Sequence, residues 1–391
     1  MNSMSDLISR WTLALGLLTF LGFQTQAQMA PPQLFSEMDG LHFLEDGSAV
    51  PFWGYGWVAD GFISLPGPLL EYAEGQEVNL AFTNPSPESH TIHLHGLDVD
   101  QANDGVPSTS FYVSTGESTD YEFTATHTGT YLYHCHVTTT LHLTMGMYGM
   151  ILVTRPDGTL FEGGPAVTQN VPWLFSDLEV ATNLDPVGSF PFHDMRPDVF
   201  MVNGKAGSQL AEEVVYASAE EPTALRLGSM AYSKITCHFP EGLNAELWMS
   251  DGREVPVEVL DSLEIYPGER FTVLVQPAVG YDGGVTAVFE HMVDGYDEAE
   301  EFLQIREESL HPSHVASLDV PTWYPNPASH NIQVTESTGR LVRVWSSVGE
   351  LVFEGQVPAS GLDVVSWNNG LYLAQVEGRD VTRFVVAHGI R

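Results

Sequence analysis

GTYLYHCHVTTTLHLTMGMYGMILV, running from Gly129 to Val153, is the stretch on which the reading of this chain turns. Successive side chains on a strand point to opposite faces, so His134 and His136 share one face and Cys135 takes the other. His142 and Met147 follow within a segment of hairpin size, with Met145 between them. Upstream, HTIHLHG at His90 to Gly96 repeats the pattern: His93 and His95 point together, and His90 comes from a neighbouring strand. The two segments hold six of the fifteen histidines. One strand can thereby serve two sites back to back, a thiolate facing one and imidazoles facing the other.

Outward from this stretch the pattern is β throughout. Leu34 to about Thr154 reads as short strands broken by turn residues. EVNLAF at Glu77 to Phe82 and STDYEF at Ser118 to Phe123 alternate with a period of two, as a sandwich with one buried face requires. A second series of similar size runs from about Pro172 to Ile305, with ALRL at Ala224 to Leu227, SLEI at Ser262 to Ile265 and RFTVLV at Arg270 to Val275. Arg306 to Pro321 is polar and reads as a linker. Tyr324 to Arg391 is a smaller β-module. The divisions expected are a signal peptide at 1–27, domains at 28–158 and 159–306, a linker at 307–322 and a tail at 323–391.

A chain of 391 residues suits two or three domains, and its hydrophobic fraction of 43% is enough for packed cores. The formal charge of -37, with Lys205 and Lys234 the only lysines, excludes nucleic acid and anionic lipid as partners, which need clustered Lys and Arg. Arg10, the apolar run Trp11 to Phe23 and Thr25-Gln26-Ala27 fit a secretory signal cleaved near Ala27. That run is too short for secure membrane insertion. Two cysteines, Cys135 and Cys237, are no disulfide framework, and each needs its own explanation. Cys237 reads as a small buried hydrophobe.

Two imidazoles, one thiolate and a distant thioether are the donor set of a blue copper centre, and His90, His142, Cys135 and Met147 supply it. Met145 is a rival for the thioether. Zinc also takes imidazole and thiolate, but the added methionine favours copper.

With these residues in view, the first β-domain resembles a cupredoxin domain of the multicopper oxidase superfamily. The resemblance rests on PGPLLEYAEGQEVNLAFTN at Pro66 to Asn84, HTIHLHG, the turn DGVP at Asp104 to Pro107, and Gly129 to Val153. It implies type 1 copper on His90, Cys135, His142 and Met147. It also implies a type 2 or type 3-like copper site on His93, His95, His134 and His136, where oxygen is reduced. Cys135 is then the electron wire between them. The expected function is a secreted oxidoreductase that takes electrons singly from a small-molecule or metal-ion donor.

The sequence departs from the family in two ways. Two residues more than the commonest oxidase spacing separate Cys135 from His142, so Thr138 to Leu141 should bulge the loop, as a shorter form of the ligand loop in copper nitrite reductases. A trinuclear cluster takes eight imidazoles, whereas this domain offers four and no second His-x-His pair exists outside it. In nitrite reductases a second-domain His from a neighbouring subunit completes the type 2 site, which makes His291, in GVTAVFEH, a further candidate ligand and a homotrimer a candidate assembly. Those enzymes present an Asp where His93 falls here, which argues against nitrite as the acceptor.

The second domain resembles a multicopper oxidase domain without type 1 copper, through FMVNGKAG at Phe200 to Gly207, LRLGSMAYSKITCHF at Leu225 to Phe239 and DSLEIYPGERFTVLV at Asp261 to Val275. The tail resembles the sorting domain of the type IX secretion system, through YPNPASHNIQV at Tyr324 to Val334, SSVGELVFEG at Ser346 to Gly355 and NGLYLAQV at Asn369 to Val376. That implies export to the cell surface or beyond by the type IX machinery. The fold expected is all-β: two cupredoxin-like Greek-key sandwiches followed by a small Ig-like sandwich. The rival function is a non-catalytic copper protein for electron transfer or copper storage, with the missing partner imidazoles in its favour.

Overall fold

The computed structural model describes residues 33–189, 195–310 and most of 323–386, leaving out 325–329, 335–338, 347–350, 359, 369 and 377–380. The expected signal peptide lies outside the described residues, as does most of the expected linker. Glu307, the linker's first residue, still belongs to the long strand Asp297–Glu307. No described helix is long and apolar enough to cross a membrane.

The first sandwich contains β1 (Gln33–Phe43), β2 (Ala49–Trp57), β3 (Leu70–Ala73), β4 (Glu77–Thr83), β5 (His93–His95), β6 (Ser118–Thr124), β7 (Gly129–His134) and β8 (Tyr148–Thr154). One sheet has the order β2-β1-β4-β6 and the other β3-β8-β7-β5. In β4, Val78, Leu80 and Phe82 are buried between more exposed neighbours, and in β6 Tyr121 and Phe123 are, so the alternating sequence presents one wet and one dry face. The dry faces meet in a core that includes Leu34, Tyr55, Phe82, Ile92, Tyr121 and Ile151.

All six residues of β7 are buried, and so are Tyr148 to Val153 of β8. Tyr131, Tyr133 and Cys135 face the core of the first sandwich. Leu132 joins Tyr148, Met150 and Leu152 against Leu174 of the second sandwich. These strands are therefore covered on both sides, which is why GTYLYH lacks the polar alternation of β4 and β6.

The second sandwich pairs a six-stranded sheet, which includes Asn170–Leu178, Thr223–Ser229 and Arg270–Val275, with a five-stranded one that includes Lys234–His238, Asp282–Glu290 and Asp297–Glu307. Phe175, Leu225, Ile235, Cys237, Phe289 and Ile305 pack between them. Cys237 is fully buried in that core, where burial pushes its thiol up. From residue 309 the chain forms a separate unit. Its sheets of three and four strands enclose Ile332, Val342, Val344, Tyr372 and Phe384.

Candidate metal centres

His90 and Cys135 meet because β7 runs beside β5, whose chain enters past Ile92, and because the Cys135 N–H donates to the Met147 carbonyl at 3.0 Å. His142 rides on a short helix, α1 (Thr139–Thr144), whose preceding residue Thr138 takes a left-handed φ of 43°. The loop expected to bulge at Thr138 to Leu141 thus winds into a helical turn instead. Extra residues in a short connection close their own backbone hydrogen bonds when they wind up, and His142 N–H donates to the Thr138 carbonyl.

His142 Nδ1 lies 3.1 Å from Cys135 Sγ and His90 Nδ1 lies 3.6 Å from it. All three side chains are fully buried, and Met147 beside them is too. The Met147 N–H donates to the His142 carbonyl at 3.0 Å, whereas the Met145 carbonyl accepts from Trp53 N–H on β2. Trp53 packs edge-on against the His142 ring with centroids 5.4 Å apart. The Nε2 atoms of both histidines are buried without a hydrogen bond, that of His142 facing Glu88 Oε2 at 3.4 Å. Burial pushes the Cys135 thiol up, and burial followed by the neighbouring His142 holds His90 down at about 3. Two neutral imidazoles whose Nδ1 atoms converge on one buried sulfur fit a cation that takes nitrogen and thiolate.

The second cluster lies on the other side of β7. His93 pairs across the sheet with His134, and His95 Nδ1 comes within 3.2 Å of His134 Nε2. His93, His95 and His134 place one ring nitrogen each within 4.8 Å of one another. His136 stands just past the end of β7, its ring 5.3 Å from His93 and stacked on His134 at 5.9 Å. It belongs to the neighbourhood without joining the tight triad. The Asp104 carbonyl lies 2.8 Å from His93 Nδ1 and the Cys135 carbonyl 2.9 Å from His134 Nδ1. A carbonyl only accepts, so each Nδ1 carries the proton and each Nε2 keeps its lone pair for a metal.

A cavity of about 610 Å³ opens in front of this cluster. His95, His134, Thr140 and Leu143 line it from the first sandwich, and Asp177, Met230 and Met292 from the second. Beside it, Arg270 is buried and bonded to the Gly268 carbonyl and to Asp251. Its Nη2 fills the space where a Cβ on Gly96 would sit, at 2.2 Å, and Gly96 has a φ of 89°. Gly96→Ala therefore meets both a backbone conformation that disfavours a side chain and a pinned guanidinium. It should cost at least about 2 kcal/mol in denaturant unfolding, and an unchanged midpoint would refute this account of the turn.

His291 is not brought to either cluster within one chain. It is buried and stacked on Tyr296 at 5.2 Å; its Nδ1 accepts from Asp294 N–H, and its Nε2 lies 3.3 Å from the Met195 carbonyl. Asp104, Trp53, Arg270 and Thr91, whose hydroxyl accepts from the His136 N–H at 2.9 Å, are the neighbours that sequence reasoning passed over. Asp104 lay in the quoted DGVP turn, but nothing in its spacing tied it to His93.

The buried imidazoles make the metal-free protein sensitive to acid. Burial holds His134 down at about 3, and burial followed by Arg270 holds His95 at about 4. Between about pH 4 and 6.5 the folded state binds fewer protons than the unfolded chain. The stability they contribute is present above about pH 6.5 and is lost as pH falls towards the folded values. Asp177, which burial raises to about 6, works in the opposite direction, as do Glu37 and Glu301, which burial also raises, against the imidazoles of His42, His90, His95, His134 and His142 that burial lowers. The thermal midpoint of the metal-free protein should thus fall by several degrees from about pH 7 to 4. A flat profile would contradict this balance.

Residues 56–158 match the multicopper oxidase family model, and residues 322–386 match that of the secretion system C-terminal sorting domain. Residues 56–158 thus form a domain similar to those of the multicopper oxidase superfamily. Copper is the metal of this superfamily, and the donor sets above fit it. Among curated relatives, a copper-containing nitrite reductase of Neisseria meningitidis is 24% identical over 261 residues, 64% of this chain and 58% of that one. Laccase-2 of Cryptococcus neoformans is 25% identical over 243 residues, 56% of this chain and 40% of that one. The chain thus spans less than two thirds of these relatives' length. The blue copper oxidase of Nitrosomonas europaea superposes with a TM-score of 0.60 at 25% identity, covering 72% of this chain and 88% of its own. The copper nitrite reductase of the same organism shares the fold, with a TM-score of 0.56 at 19% identity over 70% of this chain and 92% of that one. The tail marks the chain for export.

Proposed function

We propose that the protein is an exported copper-dependent oxidoreductase in which one-electron oxidation of a small-molecule or metal-ion donor is coupled to reduction of oxygen. The observation that carries this reading is the pair of donor clusters on opposite sides of β7, joined by the single peptide bond between His134 and Cys135. In this reading His90, Cys135, His142 and Met147 would hold type 1 copper, and His93, His95, His134 and His136 the second site. Copper bound there supplies one-electron exchange with donor and acceptor.

The polypeptide does the rest. Buried Trp53 and Met147 keep water from the first cluster, and the carbonyls of Asp104 and Cys135 fix which nitrogen His93 and His134 present. The residues from Cys135 to His134 and His136 are the shortest covalent path between the clusters. The domain limits 28–158, 159–306 and 323–391 and type IX export to the surface complete the reading.

The first domain's imidazoles do not make a full trinuclear set, so a homotrimer is the assembly in which a neighbour adds ligands. His291 can serve there only if the turn holding its two nitrogens opens. A second reading, an electron carrier or copper store, is favoured by the close approach of only three imidazoles among the described residues of the second cluster. Copper stoichiometry with electron paramagnetic resonance and oxygen uptake separates the two. We expect two or more coppers per chain, a type 2 signal and oxygen consumption. One copper with a blue signal alone and no oxygen uptake would leave the carrier.

A further inference from the structure

Asp177 sits near the end of the strand Asn170–Leu178, is 6% exposed, and lines the cavity that His95 and His134 also line. The N–H groups of Tyr232 and Ser233 donate to its two oxygens, each at 2.8 Å. Ser233 Oγ lies 2.6 Å from Asp177 Oδ2 and 2.7 Å from Glu298 Oε2. A hydroxyl has one proton to donate. Two carboxyl groups at these distances from one hydroxyl are both bonded only if one of them is itself protonated and donates to Ser233. The arrangement therefore holds a proton on a bonded row. That row runs from partly exposed Glu298, through fully buried Ser233, to Asp177 in the cavity wall.

Asp177 is the one carboxyl among the described residues lining this cavity, whose wall is otherwise rich in Leu143, Met195, Met230, Met292 and Val293. Reduction of oxygen to water takes up one proton for every electron, and such a wall offers few other sources.

We propose that Glu298, Ser233 and Asp177 form a proton relay from solvent to the cavity facing His95 and His134, serving the acceptor reaction proposed above and resting on that reading. A proton enters on the Glu298 carboxylate. Ser233 takes it while passing its own hydroxyl proton to Asp177, which releases it into the cavity. Ser233 ends as it began, and no electron moves within the row. The groups facing Asp177 are Glu298, Tyr232, the Tyr148 ring and, across the cavity, His95 and His134. Burial raises the Asp177 carboxyl to about 6, against the pull of its Ser233 and Tyr232 donors, so it exchanges its proton near neutrality.

The test uses the full copper-loaded chain with Asp177→Asn, Ser233→Ala and Glu298→Gln, the last on a partly exposed strand. Anaerobic bleaching of the blue absorption by a reductant should keep its wild-type rate in all three. Oxygen uptake should fall at least about tenfold in Asp177→Asn and Ser233→Ala, with loss of the wild-type pH dependence near 6 and a changed solvent isotope effect. Independently of copper, infrared titration of the metal-free protein should show a deuterium-sensitive protonated carboxyl band that Asp177→Asn removes. Wild-type uptake and pH profile in Asp177→Asn and Ser233→Ala would overturn the relay alone, as would absence of the band from the wild type. A wild-type protein that binds copper and consumes no oxygen would overturn the functional reading and the relay with it.

Discussion

Cys135→Ser is expected to abolish the blue colour of the copper-loaded protein and to weaken copper binding at the first cluster by orders of magnitude. The intense absorption of such centres depends on a thiolate bound to copper, and Cys135 is the one sulfur on which the Nδ1 atoms of His90 and His142 converge. Serine has nearly the same shape and a hydroxyl that does not ionise near neutrality, so the metal loses its anionic ligand. The fold should survive. The core around Cys135 is held by Tyr55, Tyr131, Tyr133 and Ile151, and burying one hydroxyl costs about 1–3 kcal/mol. Absorption spectra and copper content of a folded variant check this. A variant that keeps its blue band would show that the thiolate ligand lies elsewhere.

His95→Gln should do the reverse: blue absorption persists, the second copper is lost, and oxygen uptake falls at least about a hundredfold. Changes in the residues supporting a metal site already cost about 10–100-fold in affinity or activity, and His95 belongs to the tight triad itself. Its ring is partly exposed to the cavity, so the substitution opens no void in either core. Metal analysis and oxygen uptake decide the outcome. Full uptake with the second copper retained would remove His95 from the site, while loss of the blue band as well would mean the clusters are not independent.

The back-to-back placement of Cys135 and the flanking histidines was legible in sequence because it follows from a strand's period of two, which no tertiary contact alters. The sandwich strands at Glu77–Thr83 and Ser118–Thr124 were legible for the same reason. The helical turn at Thr139–Thr144 was not: spacing counted the extra residues but could not say that Thr138 would turn left-handed and wind them up. Nor were the partners brought from far along the chain. Arg270 under Gly96, Asp177 at the cavity and Glu298 behind Ser233 are separated from what they touch by tens of residues or more; the packing of one sandwich on the other brings the first two into place, and the strand order within the second sandwich the third. His291 carried a plausible address at a strand end, yet Tyr296, Asp294 and the Met195 carbonyl already occupy its ring and nitrogens.

Because β7 and β8 lack a wet side, the first sandwich is not a detachable module. Leu132, Tyr148, Met150 and Leu152 form its outer wall and at the same time the inner wall of the joint with Leu174. Cut free at that joint, the copper-binding half would present a raw oily patch to water right beside its imidazoles. Any ancestor that carried it alone would have needed a different β7 and β8, with polar residues where Leu132, Tyr148, Met150 and Leu152 now stand.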